Sequence, residues 1–199
     1  MRQYHIPKQV KGKQIVISES RNYSTQEEVT GAFHHARSRL GSINQWQDFA
    51  GTTSATFQLF DELGHQITRF PKIGDYVRID IPGPGSFIGR GYDWVKVTQF
   101  DDRPEDGYIL ITLQPSVPPA TIKRDAEVAH FFKATASTNI EIKVQRLCLQ
   151  VNYFGRNEET NNTSALLMEN IRNSLIGFGA KLGFSYPQWK KLVKGLLAT

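Results

Sequence analysis

The chain has 199 residues, 39% of them hydrophobic and 11% aromatic, with 12 Phe, 7 Tyr and 3 Trp. That length accommodates one domain of ordinary size and excludes a multidomain machine; that much apolar and aromatic surface excludes a disordered chain. The single cysteine, Cys148, excludes an internal disulfide framework and a multi-thiolate metal centre, so packing must hold the fold together.

The net charge of +5 is concentrated at the ends. Residues 1–21 carry five Lys or Arg against Glu19, and residues 181–199 carry four Lys and no acid, whereas the stretch between them carries 15 basic and 18 acidic residues. Such a body has no basic excess with which to follow a phosphate backbone, and nucleic acid is not expected as a partner. The first 20 residues lack the apolar run of a secretory signal, and no segment approaches the roughly 20 apolar residues of a membrane span. The cytoplasm is the expected address.

Gln14 to Ser20 alternates as a first strand. Ser24 and Glu27 have the spacing of a capping box, and Val29, Phe33, Ala36 and Leu40 then recur at helical spacing up to Gly41. Ser42 is placed to cap a second short helix through Ile43, Trp46 and Phe49. From Ser54 the hydrophobic period changes to two, which predicts successive strands to about Gly155. Asp75 to Ile81 sets Val77, Ile79 and Ile81 against Tyr76, Arg78 and Asp80. A Gly/Pro loop, IPGPGSFIGRG, leads to a strand over Gly91 to Phe100, and an acidic turn leads to another over Tyr108 to Gln114. Pro115 to Glu127 reads as a long crossover or lid. His130 to Val144 and Leu147 to Phe154 alternate as a long hairpin. Thr163 or Ser164 can cap a helix carrying Leu167, Ile171, Leu175 and Phe178, loosened at Gly179 and Gly183. A separate last helix is predicted from Pro187, with Trp189, Leu192, Val193, Leu196 and Leu197 on one face and Lys190, Lys191 and Lys194 beside them.

Catalytic signatures are weak. His34 and His35 are adjacent on a helix and diverge by about 100°, and His5, His65 and His130 stand apart, so no metal and no cofactor are expected. Cys148 sits in an apolar strand with nothing to activate it. The adjacent pairs Asp101 with Asp102 and Glu158 with Glu159 read as turn charges. Two polar sets stand out: Tyr76, Arg78 and Asp80 beside Tyr92, Trp94 and Lys96, or Asp93, in a register the sequence leaves open, and Arg156, Asn157 and Glu158 with Asn161 and Asn162 at a strand end. Arg156 there is suited to hold a carboxylate bidentately while Asn157 orients it.

The order of strand, two short helices, antiparallel strands and C-terminal helix, over about Gln14 to Leu182, resembles the helix-grip arrangement of the START and Bet v 1 superfamily. A lipocalin-like barrel accommodates two helices after its first strand poorly. The resemblance implies an α+β fold in which a curved antiparallel sheet of six to eight strands grips a C-terminal helix and leaves a cavity. The chain reads as one domain, 1–199, with a helix-grip body over 14–182 and a helical appendage over 183–199. The expected function is binding of a small, largely apolar molecule in that cavity, lined by Trp46, Phe57, Tyr76, Trp94, Phe132 and Tyr153, with Arg78 or Arg156 and Asn157 as polar anchors. The alternative is an interaction or structural module docking through the basic C-terminal helix, and a homo-oligomer is compatible with either. No residue constellation marks the chain as an enzyme.

Overall fold

The computed structural model describes residues 6–51, 55–80, 91–120, 128–160 and 175–198, with backbone alone over 175–185. The Gly/Pro loop over 81–90, the KRDAE run over 123–127, and the cap and first turns of the helix predicted from Thr163 or Ser164, with Asn161 and Asn162, lie outside the described residues.

Seven strands form one antiparallel sheet: β1 (Lys13–Asn22), β2 (Thr56–Phe60), β3 (Tyr76–Asp80), β4 (Asp93–Arg103), β5 (Tyr108–Pro115), β6 (Ser137–Gln145) and β7 (Cys148–Glu158). Their order across the sheet is β1-β7-β6-β5-β4-β3-β2. Helices α1 (Gln26–Gly41) and α2 (Trp46–Ala50) fall between β1 and β2, and α3 (Leu175–Leu197) ends the chain. This is the α+β helix grip, a curved sheet around a C-terminal helix. Ile15, Ile17, Phe57, Leu59, Val77, Val95, Ile109, Ile111, Ile140 and Val151 form the helix-bearing face and join one core with Val29, Phe33 and Leu40 of α1 and with Leu192, Val193 and Leu196 of α3.

The cap of α1 lies one residue later than the spacing suggested. Thr25 is the N-cap, its hydroxyl accepting from the Glu28 amide at 3.2 Å. The Glu28 carboxylate in turn accepts from the amides of Ser24 at 2.8 Å and Thr25 at 3.2 Å. In this frame one side chain satisfies two backbone donors. Nor does Ser42 cap the next helix; its hydroxyl donates back to the Ser38 carbonyl at 2.8 Å, and a 3₁₀ turn over Ile43–Gln45 leads into α2. Asn44 in that turn accepts from the Leu59 amide at 2.7 Å and donates to the Ile67 carbonyl at 2.8 Å. It thereby occupies the Leu59 amide, which edge strand β2 would otherwise leave open.

Two predicted strand and helix limits are corrected. β6 begins at Ser137 and not at His130, because the Ala136 amide closes a turn onto the Lys133 carbonyl at 3.0 Å; Phe132 forms only an isolated bridge with Thr160. The predicted break at Gly183 and new start at Pro187 are absent, since α3 runs continuously with Pro187 inside it. An interior proline costs about 3 kcal/mol, and fully burying a Leu or Val side chain recovers about 1.5–3 kcal/mol each. Leu192, Val193 and Leu196 on the far side of the proline are all buried, which outweighs it.

The end of α3 crosses α2 closely. A Cβ on Gly195 would collide with the Phe49 carbonyl, whereas one on Gly31, exposed on α1, would meet nothing within 4 Å. Gly195→Ala is therefore expected to lower stability by about 1–3 kcal/mol through overpacking. Gly31→Ala is expected to raise it by about 0.5–1 kcal/mol. Chemical denaturation of the two variants checks the contrast.

Candidate functional site

Directly opposed residues in an antiparallel pair point to the same side of the sheet, so the register assigns each side chain to a face. Phe57 opposes Ile79 and Ile79 opposes Asp93. Phe57 and Ile79 belong to the core, so Asp93 shares the helix-bearing face. Tyr153 opposes Ile17 on one side and Ile140 on the other, and Gly155 opposes Ile15 and Thr138. These belong to the helix-bearing face too.

On that face an aromatic cluster joins sheet and helices. The Trp46 indole N–H donates to the Leu40 carbonyl at 3.1 Å, which fixes the ring. Its centroid is 5.3 Å from that of Phe57, Phe57 is 5.9 Å from Trp189 of α3, and Trp189 stacks on Tyr153 at 4.8 Å with 25° between planes. Three of the sequence-predicted lining residues, Trp46, Phe57 and Tyr153, are thus brought together, and the ring that completes them is one the sequence suggested for docking.

Beyond Tyr153 the face becomes polar. Two bulges do this. In β7, Asn157 is left-handed at φ 53°, and the pairing steps two residues on β1, Lys13 to Ile15, against three on β7, Gly155 to Glu158. The extra residue returns Glu158 to the side of Gly155. Glu158 is 7% exposed, and burial pushes its carboxyl up to about 6 against the opposing pull of Lys13 and the Tyr153 hydroxyl. The fully buried Tyr153 hydroxyl also bonds Thr138, and burial together with Glu158 raises its pKa. In β4, a register shift between Val97 and Gln99 brings Asp102 opposite buried Ile109. There it receives Nε and Nη2 of Arg37 of α1 at 2.7 and 2.6 Å. Neither Asp102 nor Glu158 is the turn charge that adjacency suggested; register and bulge are invisible to composition. Asp93 is 3% exposed, and its Oδ2 has no hydrogen-bond partner.

The other predicted residues lie elsewhere. Arg78 opposes Trp94 and Tyr76 opposes Lys96, but on the outer face. The Arg78 guanidinium lies 4.2 Å from the Tyr92 ring centroid and 5.2 Å from that of Phe60, bonded to the Gln58 carboxamide, and Phe60 packs on Trp94 at 5.3 Å. Tyr76, Arg78 and Trp94 therefore cannot line a space beneath α3. Arg156, one residue past Gly155, also faces outward; its guanidinium lies over the Phe154 ring at 5.1 Å and donates to the Gly155 carbonyl at 3.0 Å. Asn157 ties down the preceding arm, accepting from the Val10 amide at 2.7 Å and donating to the Lys8 carbonyl at 3.1 Å. Phe132 packs on Phe131 at 4.9 Å near the start of β6. At the opposite end of the sheet, a groove of about 620 Å³ runs between α1 and the hairpin turns, lined by Gln26, Thr30, His34, Glu105, Asp106 and Arg146 among others. Among the described residues no three His, Cys, Asp or Glu side chains gather as metal ligands, and no helix is long and apolar enough to cross a membrane.

The sequence matches no protein-family profile and no curated protein. Solved structures do resemble it. A hypothetical protein from Helicobacter pylori, 9% identical, superposes with a TM-score of 0.54 over 92% of this chain and 88% of that one. A major latex-like protein from Panax ginseng is 12% identical with a TM-score of 0.44 over 94% of this chain and 100% of that one. A START superfamily protein from Mycobacterium smegmatis is 12% identical with a TM-score of 0.41 over 93% and 99%. At such identities the likeness is one of fold alone.

The raised pKa of Glu158 makes stability depend on pH. A carboxyl that titrates higher folded than unfolded favours the folded state below its ordinary value of 4.5, and that contribution is lost as pH rises through about 6. The loss amounts to about 1–2 kcal/mol. Melting temperatures of wild type and Glu158→Gln at pH 5 and pH 8 check this: the variant is expected to lose part of the wild-type fall between the two, and an unchanged fall would assign it to other groups.

Proposed function

We propose that the chain binds a small, largely apolar molecule between the first half of α3 and the helix-bearing face of the sheet. The observation that carries this reading is the position of the aromatic cluster. Trp189 meets Tyr153 and Phe57, and the core contacts of α3 follow it at Leu192, Val193 and Leu196. The helix extends from there back to Leu175, about 20 Å at 1.5 Å per residue. The same face of the sheet carries Ile15, Ile79, Val95 and Leu113, all buried, together with Asp93 and Glu158. An apolar lining with a few polar groups is the usual composition of a small-molecule site. Trp46, Phe57 and Tyr153 form its inner end in this reading, and Phe132 stands near its rim.

The docking alternative is weaker because the apolar side of the C-terminal helix is occupied. Leu192, Val193 and Leu196 are buried within the chain itself, and Lys194 lies 3.9 Å from Glu19 of β1.

Organic extraction of the natively purified protein followed by mass spectrometry, with thermal-shift screening of apolar compounds, tests the proposal. A compound at 100 times its Kd adds about 2.7 kcal/mol, a rise of roughly 5–10 °C at this chain length. The expected result is an extractable apolar species or such a rise, with altered emission from Trp189. A clean extract, with no shift across octyl and aromatic compounds, contradicts it.

A further inference from the structure

The charged groups on the helix-bearing face leave buried carboxyls in excess, since Arg37 of α1 is committed to Asp102 through two hydrogen bonds. Arg78 and Arg156, the cations that the sequence offered as anchors for an anionic ligand, are held on the outer face against Tyr92 and Phe154. Lys13, opposite Glu158, is exposed on β1 at the sheet edge. Besides Asp102, two more carboxyls stand inside, Asp93 and Glu158, 3% and 7% exposed. β6 and β5 lie between the strands that carry them, a separation of about 14 Å along the sheet, so they are not two ligands of one ion.

Their situations differ. Glu158 has partners in the Tyr153 hydroxyl and the Lys13 charge. The Asp93 Oδ2 stands apart: it is buried with no donor, although buried acceptors are as a rule paired. It occupies the row Phe57–Ile79–Asp93, whose first ring touches Trp189 of α3. The unsatisfied oxygen therefore lies on the side of the sheet that faces α3. Leaving it unpaired costs the folded chain the desolvation of that group, and a ligand donor placed there recovers it.

We infer that the ligand carries a hydrogen-bond-donating head group, an amine or a hydroxyl on an apolar body, which Asp93 receives, and that carboxylate ligands are rejected. This rests on the binding reading above and names its ligand class. Rejection follows because an anionic head would meet buried acceptors, while the cations on this side among the described residues, Arg37 and Lys13, lie against Asp102 and Glu158.

Titration of the full chain with 1-aminooctane, octan-1-ol and octanoate, read by Trp fluorescence and melting temperature, tests the inference. The amine and the alcohol are expected to bind at least tenfold more tightly than octanoate. In Asp93→Asn the amine should lose at least tenfold in affinity while the alcohol changes less, and the melting temperature without ligand should stay level or rise, since an unpaired carboxylate is removed. Octanoate binding as tightly as the amine, or an amine preference that survives in Asp93→Asn, overturns the inference and leaves the cavity reading standing. Failure of all three compounds to bind overturns both. A melting temperature that falls sharply in Asp93→Asn assigns the residue a structural role and also overturns it.

Discussion

The stacking of Trp189 on Tyr153, 4.8 Å between centroids, is the contact on which the arrangement of the molecule depends. It joins the last helix to the penultimate position in the strand order, and through Phe57 and Trp46 it reaches the opposite edge strand and α2. Large rings suit this role, because each buries much apolar area and their edges and faces pack at defined angles. Once Trp189 is fixed, the next turns of α3 must bury Leu192, Val193 and Leu196, and Gly195 must pass Phe49 with no room for a side chain. Among the described side chains of α3, Trp189, Leu192, Val193 and Leu196 make the grip.

Much of this architecture was legible in the sequence. The change of hydrophobic period from 3.6 to 2 marked the helices after the first strand and the strands after them, and the element order suggested the fold. Individual cores were legible as well: Val29, Phe33, Ala36 and Leu40 are all buried on α1. Alternation misled where it ran on past a strand, as over His130 to Ala136. Local breaking signals misled where tertiary packing overrode them, as at Gly183 and Pro187, because burial of the residues beyond outweighs the lost helical hydrogen bond.

The site was less legible, for a geometric reason. A strand with aromatic residues on both faces does not announce which face is enclosed. Trp94 and Phe57 look alike in sequence, yet one packs on the outer face with Phe60 and the other beneath α3. Arg78 looked like an anchor beside Tyr92 and Trp94, and Arg156 like one at a strand end beside Asn157; the structure holds both outside, over Tyr92 and Phe154. Glu158 and Asp93 were named only as members of the two polar sets, because their placement comes from a bulge at Asn157 and from a register across three strands. The hint available was Asn157 itself, an amino acid that tolerates the left-handed conformation a bulge can require.

The described contacts hold α3 from Trp189 onward, and the binding proposal requires its first half to be held less tightly. Amide hydrogen exchange along α3 of the unliganded chain tests that difference most directly. The account predicts a step near Trp189, with amides of 192–197 exchanging at the rate of global unfolding and those of 175–186 much faster. Equal, slow exchange along the whole helix would mean that its first half is packed as solidly as its second, and would contradict the account.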